Sequence, residues 1–227
     1  MEHVEIARAE TERGELVLSE RRDDNAPASL ELRANGVFVM DTVEVATERA
    51  LATAALALVE EPRAVVVGGL GLGYTMHEVL ADSRVERCAV VEIEEALVGW
   101  MRDGTIPHGP TLLADERVTV VQADIAVAMA EARPATYDLV LLDVDNGPGY
   151  LVHEGNAGLY EQAFLSTVEA VLRPGGALVV WSAAEAPDLE TALRAVFAEV
   201  DVRRHDVRLQ DRDEQYLLYV ARPGPRD

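Results

Sequence analysis

The chain has 227 residues, of which 49% are hydrophobic and 27% charged, a composition typical of a soluble globular protein with a sizeable core. Its 41 acidic residues against 20 Lys and Arg give a net charge of −21, which repels phosphate and disfavours nucleic acid as a partner. We find neither the apolar core of a signal peptide nor a membrane-spanning apolar stretch, so we expect a cytoplasmic protein.

The first part of the chain is predicted to be a small β unit. Apolar and polar residues alternate there in three runs, as in half-buried antiparallel strands: 14–20, 29–34 and 36–41. Over residues 43–59 the period changes to that of a helix. We therefore predict an N-terminal β-hairpin region, residues 1–42, followed by a second domain, residues 43–227.

Strand-like and helix-like segments alternate through the second domain, as in βαβ units. Five apolar runs are typical of strands buried on both faces: 64–68, 88–93, 117–122, 137–143 and 177–182. Helical segments are expected from about Tyr74, through Trp100, through Ala132, over 158–172 before an RPGG turn, and around Leu193. The chain closes with an antiparallel pair, 200–209 and 214–221. The pattern predicts an α/β, Rossmann-like sheet that is mostly parallel with an antiparallel C-terminal strand.

A glycine-rich turn follows the first of these strands. The segment VVVGGLGLGYT contains Gly68, Gly69, Gly71 and Gly73, and glycines at such a turn allow the backbone to approach a nucleotide closely. The spacing is GxGxG, because Tyr74 stands where the dinucleotide-binding motif needs its last glycine, and this disfavours NAD. A packing turn without a ligand is the alternative.

Acidic residues follow three of the predicted strands. Glu92 ends the second strand, where a carboxylate can accept hydrogen bonds from ribose hydroxyls, whereas we assign Glu94 and Glu95 to the start of the next helix. Asp124 follows the third strand and is either an adenine ligand, a helix N-cap or both. Because parallel strands end at one edge of a sheet, these positions predict a binding site at that edge.

The fourth strand ends in LLDVDNGPGY, which presents Asp143 and Asp145 beside a Gly-Pro turn. These carboxylates are candidates for chemistry, although Asp also suits turn geometry. The cysteine and histidine residues do not indicate a metal site. Cys88 is the only cysteine and lies in a predicted buried strand, and the five histidines lack the spacing of zinc ligands, so we predict no metal.

Taken in order, several segments resemble the successive blocks of spermidine synthases over about residues 14–182: GELVLSE, GVFVMD, GGLGLGYTMHEVL, VVEIEEALV, RVTVVQADIAVAM, YDLVLLDVDNGP and LYEQAFLSTVEAVLRPGGALVVW. The resemblance implies a class I methyltransferase-like sheet, a homodimer, and S-adenosylmethionine or its decarboxylated form as co-substrate. It also implies that Glu92 holds the ribose, that Asp124 holds the adenine, and that Asp143 helps to deprotonate an attacking amine. Asp145 matches the family only approximately, in a shorter loop.

Two departures from the family bear on the reaction. Gly71 stands where the family's glycine loop has an aspartate near the aminopropyl amine, and the helical segment ATERALATAALAL lacks the family's Tyr-His pair. Because like charges repel, a loop without that aspartate suits S-adenosylmethionine, which has a carboxylate. We therefore expect methyl transfer to a small amine. The alternatives are aminopropyl transfer, attack on the aminocarboxypropyl arm, and a non-catalytic nucleoside-binding homologue.

The acceptor side is predicted from the loop that follows the fourth strand. Tyr150, His153, Asn156 and Tyr160 lie in this loop and in the helix after it, where they could contact the acceptor or be solvated. Trp181, at the end of the fifth strand, could line the same pocket or belong to the core.

Overall fold

The computed structural model describes residues 2–23, 26–43, 45–145, 147–209 and 212–225. The strands are β1 (Glu2–Thr11), β2 (Gly14–Asp23), β3 (Ala26–Ala34), β4 (Val37–Asp41), β5 (Ala64–Gly68), β6 (Arg87–Glu92), β7 (Val118–Gln122), β8 (Tyr137–Leu142), β9 (Leu172–Ser182), β10 (Glu199–Leu209) and β11 (Arg212–Arg222). The helices are α1 (Ala46–Leu56), α2 (Tyr74–Ala81), α3 (Glu95–Asp103), α4 (Gly109–Leu113), α5 (Ile125–Glu131), α6 (Gln162–Val171) and α7 (Pro187–Val196), and a 3₁₀ helix (Glu154–Tyr160) precedes α6.

The N-terminal strands form an antiparallel sheet in the order β1-β2-β3-β4. The sequence predicts three of these strands but not β1. A bulge between Glu5 and Ala7 shifts the register of β1, and all of its residues are at least partly exposed, so the strand lacks a regular alternation of buried and exposed side chains. This sheet ends at Asp41, and the proposed domain boundary after residue 42 stays a prediction.

The larger sheet has the order β10-β11-β9-β8-β5-β6-β7. Strands β9, β8, β5, β6 and β7 are parallel, whereas β11 pairs antiparallel with both β9 and β10. The predicted fold class, with its antiparallel C-terminal strand, is therefore confirmed. Among the described residues, no helix combines the length and apolar character that crossing a membrane requires.

Apolar layers cover both faces of the large sheet. Neighbouring residues of β5 alternate between them: Val65 and Val67 belong to the layer that includes α1, α2 and the N-terminal sheet, and Val66 to the layer beneath α5, α6 and α7. Cys88 is fully buried in β6, as predicted. Since Leu18 and Leu32 of the small sheet join the first layer, the small sheet is held against the large one.

Two local predictions differ from the structure. The helix expected over 158–172 is divided into the 3₁₀ helix and α6, which are separated by Glu161 in an extended conformation. The RPGG segment lies within β9 rather than before it. Tyr137 pairs with Leu172 but Leu139 pairs with Ala177, so the additional residues form an irregularity inside the strand.

Candidate active site

The glycine turn joins the ends of three neighbouring strands. The Gly69 N–H donates to the Val91 carbonyl at 2.9 Å, and the Asp143 N–H donates to the Gly68 carbonyl at 2.9 Å. Gly69 has a φ of +96°, and a Cβ atom there would lie 2.2 Å from the Asp143 carbonyl oxygen. A side chain at this position would therefore push apart the turn and the loop that carries Asp143.

The same turn also contacts the N-terminal sheet. The Leu72 N–H points to the Met40 sulfur at 3.1 Å, and a Cβ atom on Gly71 would lie 2.7 Å from that sulfur. Gly73 is the N-cap residue of α2, with a φ of +86°. Gly69 and Gly71 line the cavities described below, whereas Gly68 and Gly73 act within the turn itself.

A first cavity lies between the N-terminal sheet and the carboxyl ends of β5, β6, β7 and β8. The predicted site residues that line it are Gly69, Gly71, Glu92, Asp124, Asp143, Asp145, His153 and Asn156. Leu16, Leu32 and Val39 supply an apolar wall from the small sheet. The carboxylates that the sequence places after β6, β7 and β8 therefore surround one cavity.

Glu92 is the buried carboxylate of the first cavity. One of its oxygens accepts a hydrogen bond from the Leu70 N–H at 2.9 Å, and the other accepts one from the Glu94 N–H at 2.8 Å. Burial raises the pKa of Glu92, and these two hydrogen bonds oppose that rise. Because each carboxylate oxygen has a second lone pair, the fixed side chain can still accept hydrogen bonds from a vicinal diol.

Asp124 is a helix N-cap, as considered from the sequence, and its role as an adenine ligand stays a prediction. It is the N-cap of α5, where it accepts a hydrogen bond from the Ala126 N–H at 2.8 Å, and it also lines the first cavity. Glu94 lines this cavity as well, although the sequence assigns it only to the start of α3. Glu95 is the first residue of α3 and is not among the lining residues.

Asp143 and Asp145 follow β8 and are held by different partners. The Thr75 hydroxyl donates to Asp143 at 2.6 Å. Asp145, with a φ of +62°, accepts hydrogen bonds from the Val152 N–H and from the Asn156 side-chain amide, both at 2.8 Å. Burial raises the pKa of both carboxyls, and the hydrogen bonds act in the opposite direction. Asn146, between these residues and Gly147, lies outside the described residues.

The structure separates the predicted acceptor residues. His153 caps the 3₁₀ helix and, like Asn156, lines the first cavity. The Tyr160 hydroxyl donates to the Val144 carbonyl at 2.8 Å, and its ring is buried outside both cavities. Tyr150 is 62% exposed and also lines neither cavity. Only Trp181 among the five lines the second cavity, and contact of any of the five with an acceptor stays a prediction.

The second cavity lies beside the first and is walled by β4, α1, α2 and the end of β9. Its lining includes Phe38, Met40, Thr47, Glu48, Tyr74, Thr75, Trp181 and Ala183. Four residues line both cavities: Val39, Gly71, Asp143 and Asp145. The two cavities therefore meet at a pair of carboxylates.

Glu48 is a functional candidate that the sequence analysis misses. It lies in the first turn of α1 and accepts a hydrogen bond from the Thr47 hydroxyl at 2.8 Å. Burial, together with the negative charge of Asp143, raises the pKa of Glu48 to about 7. The sequence signal is that the residues at i+3 and i+4, Leu51 and Ala52, are apolar. Both are buried, so Glu48 lies towards the inner face of the helix.

The second cavity is acidic. Its described lining contains three carboxylates, those of Glu48, Asp143 and Asp145, and no Lys or Arg. Carboxylates that are crowded together and withdrawn from water favour a positively charged ligand, because such a ligand supplies the missing counter-charge.

A family model described as "Spermine/spermidine synthase domain" matches residues 44–204. The chain belongs to this family.

Known relatives agree with this membership. Polyamine aminopropyltransferase 2 of Pseudomonas aeruginosa is 31% identical over 159 residues, 65% of this chain and 43% of the relative. Putrescine N-methyltransferase 3 of Nicotiana tabacum is 32% identical over 123 residues, 53% of this chain and 30% of the relative. The chain thus spans less than half the length of these curated relatives. A spermidine synthase crystallised with the transition-state analogue AdoDATO has a similar fold, with a TM-score of 0.78 and 18% identity over 97% of this chain and 74% of that structure.

Proposed function

We propose that this protein transfers a methyl group from S-adenosylmethionine to a small amine. The observation that carries the proposal is the meeting of two cavities at Asp143 and Asp145, one with a fixed strand-end carboxylate and the other acidic. The relatives support it, since they are named as a polyamine aminopropyltransferase and a putrescine N-methyltransferase.

The first cavity is assigned to the sulfonium nucleoside. Glu92, whose carboxylate is fixed by two backbone N–H groups, holds the ribose hydroxyls. Asp124 at the next strand end holds the adenine amino group while it caps α5. Gly69 and Gly71 leave room for the sulfonium arm to approach the backbone. This assignment directs the reactive carbon towards the junction of the cavities.

The second cavity is assigned to the amine. An alkylamine is an ammonium ion in water at neutral pH and must lose a proton before its nitrogen can attack. Asp143 accepts that proton, the nitrogen forms a bond to the methyl carbon, and the carbon–sulfur bond breaks so that its electron pair neutralises the sulfonium. The raised pKa of Asp143 makes it a stronger base than an exposed aspartate, and Thr75 holds it in position. Alignment of the two ligands supplies the remaining rate enhancement.

Aminopropyl transfer from decarboxylated S-adenosylmethionine is the second candidate. Gly71 replaces an acidic residue in the glycine turn, and the absence of that charge favours the methyl donor. Glu48 favours aminopropyl transfer, because it supplies a carboxylate to the second cavity, which Gly71 also lines. The two reactions leave different nucleosides. Methyl transfer yields S-adenosylhomocysteine, and aminopropyl transfer yields methylthioadenosine.

Mass spectrometry of reactions with putrescine and each donor tests the proposal. We expect S-adenosylhomocysteine and a methylated amine from the wild-type chain. Asp143→Asn should lower the rate by about 10²–10⁴-fold, the range for a general base. Asp201→Asn, which removes an exposed carboxylate near the start of β10 and outside both cavities, is the matched control and should retain full activity. Methylthioadenosine formed from the decarboxylated donor would establish the second candidate, whereas methylthioadenosine formed from S-adenosylmethionine would indicate attack on the aminocarboxypropyl arm.

A nucleoside that binds in calorimetry without turnover of either donor would identify a non-catalytic homologue and refute the transferase proposal. We also propose the homodimer and the cytoplasmic location that are expected from the sequence. Size-exclusion chromatography with light scattering tests the first of them, and a monomer would contradict it.

A further inference from the structure

Arg13 brings a positive charge into the first cavity. It lies in the turn between β1 and β2, where one terminal nitrogen of its guanidinium donates a hydrogen bond to the Asn156 side-chain oxygen, and its Nε lies 3.7 Å from a carboxylate oxygen of Glu94. Among the described residues that line either cavity, Arg13 is the only Lys or Arg. Its side chain is 21% exposed, so water screens its charge only in part.

The Asn156 side chain connects the Arg13 guanidinium to the junction of the two cavities. The Asn156 side chain that accepts from Arg13 also donates to Asp145 at 2.8 Å, and Asp145 lines both cavities. The positive charge of Arg13 lowers the pKa of Asp145, in opposition to burial. Asn156 alone thus separates Arg13 from Asp145, one of the two carboxylates at which the ligands are proposed to meet.

An arginine at this place distinguishes between the two sulfonium donors. Guanidinium N–H groups bind carboxylates strongly and oppose a nearby ammonium ion. S-adenosylmethionine has a carboxylate on its arm, whereas the decarboxylated donor has only the ammonium group. Arg13 has five N–H donors, and its contacts with Asn156 and Glu94 involve two of its three nitrogens, which leaves donors for a ligand carboxylate.

We propose that Arg13 is a donor-specificity residue that binds the carboxylate of S-adenosylmethionine, and that Glu94 competes with this carboxylate for the guanidinium. The assignment rests on the proposed function, because it places the nucleoside in the first cavity. A structural role of Arg13 would have a different signature. Arg13 connects the N-terminal sheet to Asn156 and Glu94, so its loss in that case would change thermal stability and the affinity for every nucleoside alike.

Calorimetry on the full chain with four nucleosides separates these roles. S-adenosylmethionine and S-adenosylhomocysteine have the carboxylate, and decarboxylated S-adenosylmethionine and methylthioadenosine lack it. We expect Arg13→Gln to lower the affinity for the first pair by about tenfold or more, which corresponds to the loss of a charged hydrogen bond. The affinity for the second pair should change by less than about threefold. Arg102→Gln, which removes an exposed arginine of α3 outside both cavities, is the matched control and should leave all four affinities unchanged.

Glu94→Gln provides a test of opposite sign. Removal of the competing charge should tighten binding of S-adenosylmethionine by about threefold or more and leave methylthioadenosine unchanged, because the guanidinium then has one counter-ion fewer. A variant that only disturbs the local structure cannot improve binding of one donor alone.

The outcomes separate this inference from the proposed function. Equal weakening of all four ligands by Arg13→Gln, or unchanged binding of the carboxylate pair, overturns the role of Arg13 while nucleoside binding by the wild-type chain still stands. Failure of the wild-type chain to bind any of the four overturns the proposed function and this inference together.

Discussion

Replacement of Glu48 by Gln should stabilise the unliganded protein at high pH. The pKa of Glu48 rises from 4.5 to about 7 in the folded state, chiefly because of burial and secondly because of Asp143. The folded protein therefore binds more protons than the unfolded chain between these two pH values, so the stability contributed by this group falls as pH rises through the window. Glutamine is nearly isosteric and has no charge to desolvate.

The size of the effect follows from the shift. At about 1.4 kcal/mol per pKa unit, the full rise lowers the free energy of unfolding by about 3 kcal/mol above pH 7. Partial solvent exposure of Glu48 reduces this loss to about 1–3 kcal/mol. For a chain of this length, 1 kcal/mol corresponds to about 2–4 °C in melting temperature. We expect Glu48→Gln to raise the melting temperature by about 3–10 °C at pH 8, and by clearly less at pH 5.5.

Thermal unfolding from pH 5.5 to pH 8.5, monitored by calorimetry or circular dichroism, measures this gain. Glu131→Gln removes an equal charge from the exposed end of α5 and should change the stability by less than about 0.5 kcal/mol at every pH. A gain for Glu48→Gln that is absent at pH 8, or equally large at pH 5.5, would refute the conclusion that this carboxylate is crowded and desolvated.

Three further predictions concern the turn, the ribose ligand and the base. Gly69→Ala should lower the free energy of unfolding by about 3 kcal/mol or more, because the new Cβ would lie 2.2 Å from the Asp143 carbonyl oxygen. Gly99→Ala in α3, with no neighbour within 4 Å, should instead stabilise by about 1 kcal/mol, and equal melting temperatures for the two variants would contradict the geometry. Glu92→Gln should lower the affinity for S-adenosylhomocysteine by about tenfold, as measured by calorimetry, and an unchanged affinity would contradict the assignment of Glu92 to the ribose. Thr75→Val removes a hydrogen bond that lowers the pKa of Asp143, so the acid limb of the kcat/KM profile should move to higher pH; a profile that does not move would argue against Asp143 as the base.

The sequence predicts the part of the site that depends on local pattern. Parallel strands end at one edge of their sheet, so Glu92, Asp124 and Asp143 could be expected to lie together once the strands were recognised. In the structure, these three carboxylates line one cavity. The glycine turn is predicted for the same reason, since its position directly after β5 determines where it lies.

The rest of the site depends on tertiary packing. Arg13 and Glu48 come from a strand turn and a helix that lie against the sheet edge only because the N-terminal sheet shares an apolar layer with β5. No local period in the sequence specifies that docking. Tyr150 and Tyr160 show the same limit, because the path of a loop decides that one is exposed and the other is buried with its hydroxyl on Val144.

The wall formed by Val39 and Gly71 belongs to both cavities, so a substitution at either position alters the fit of both ligands at once. Under the proposed function, attempts to broaden the range of amine acceptors should therefore begin elsewhere. Trp181 and Ala183 line the second cavity alone, and enlarging or narrowing that end would reshape one compartment while the nucleoside compartment keeps its dimensions.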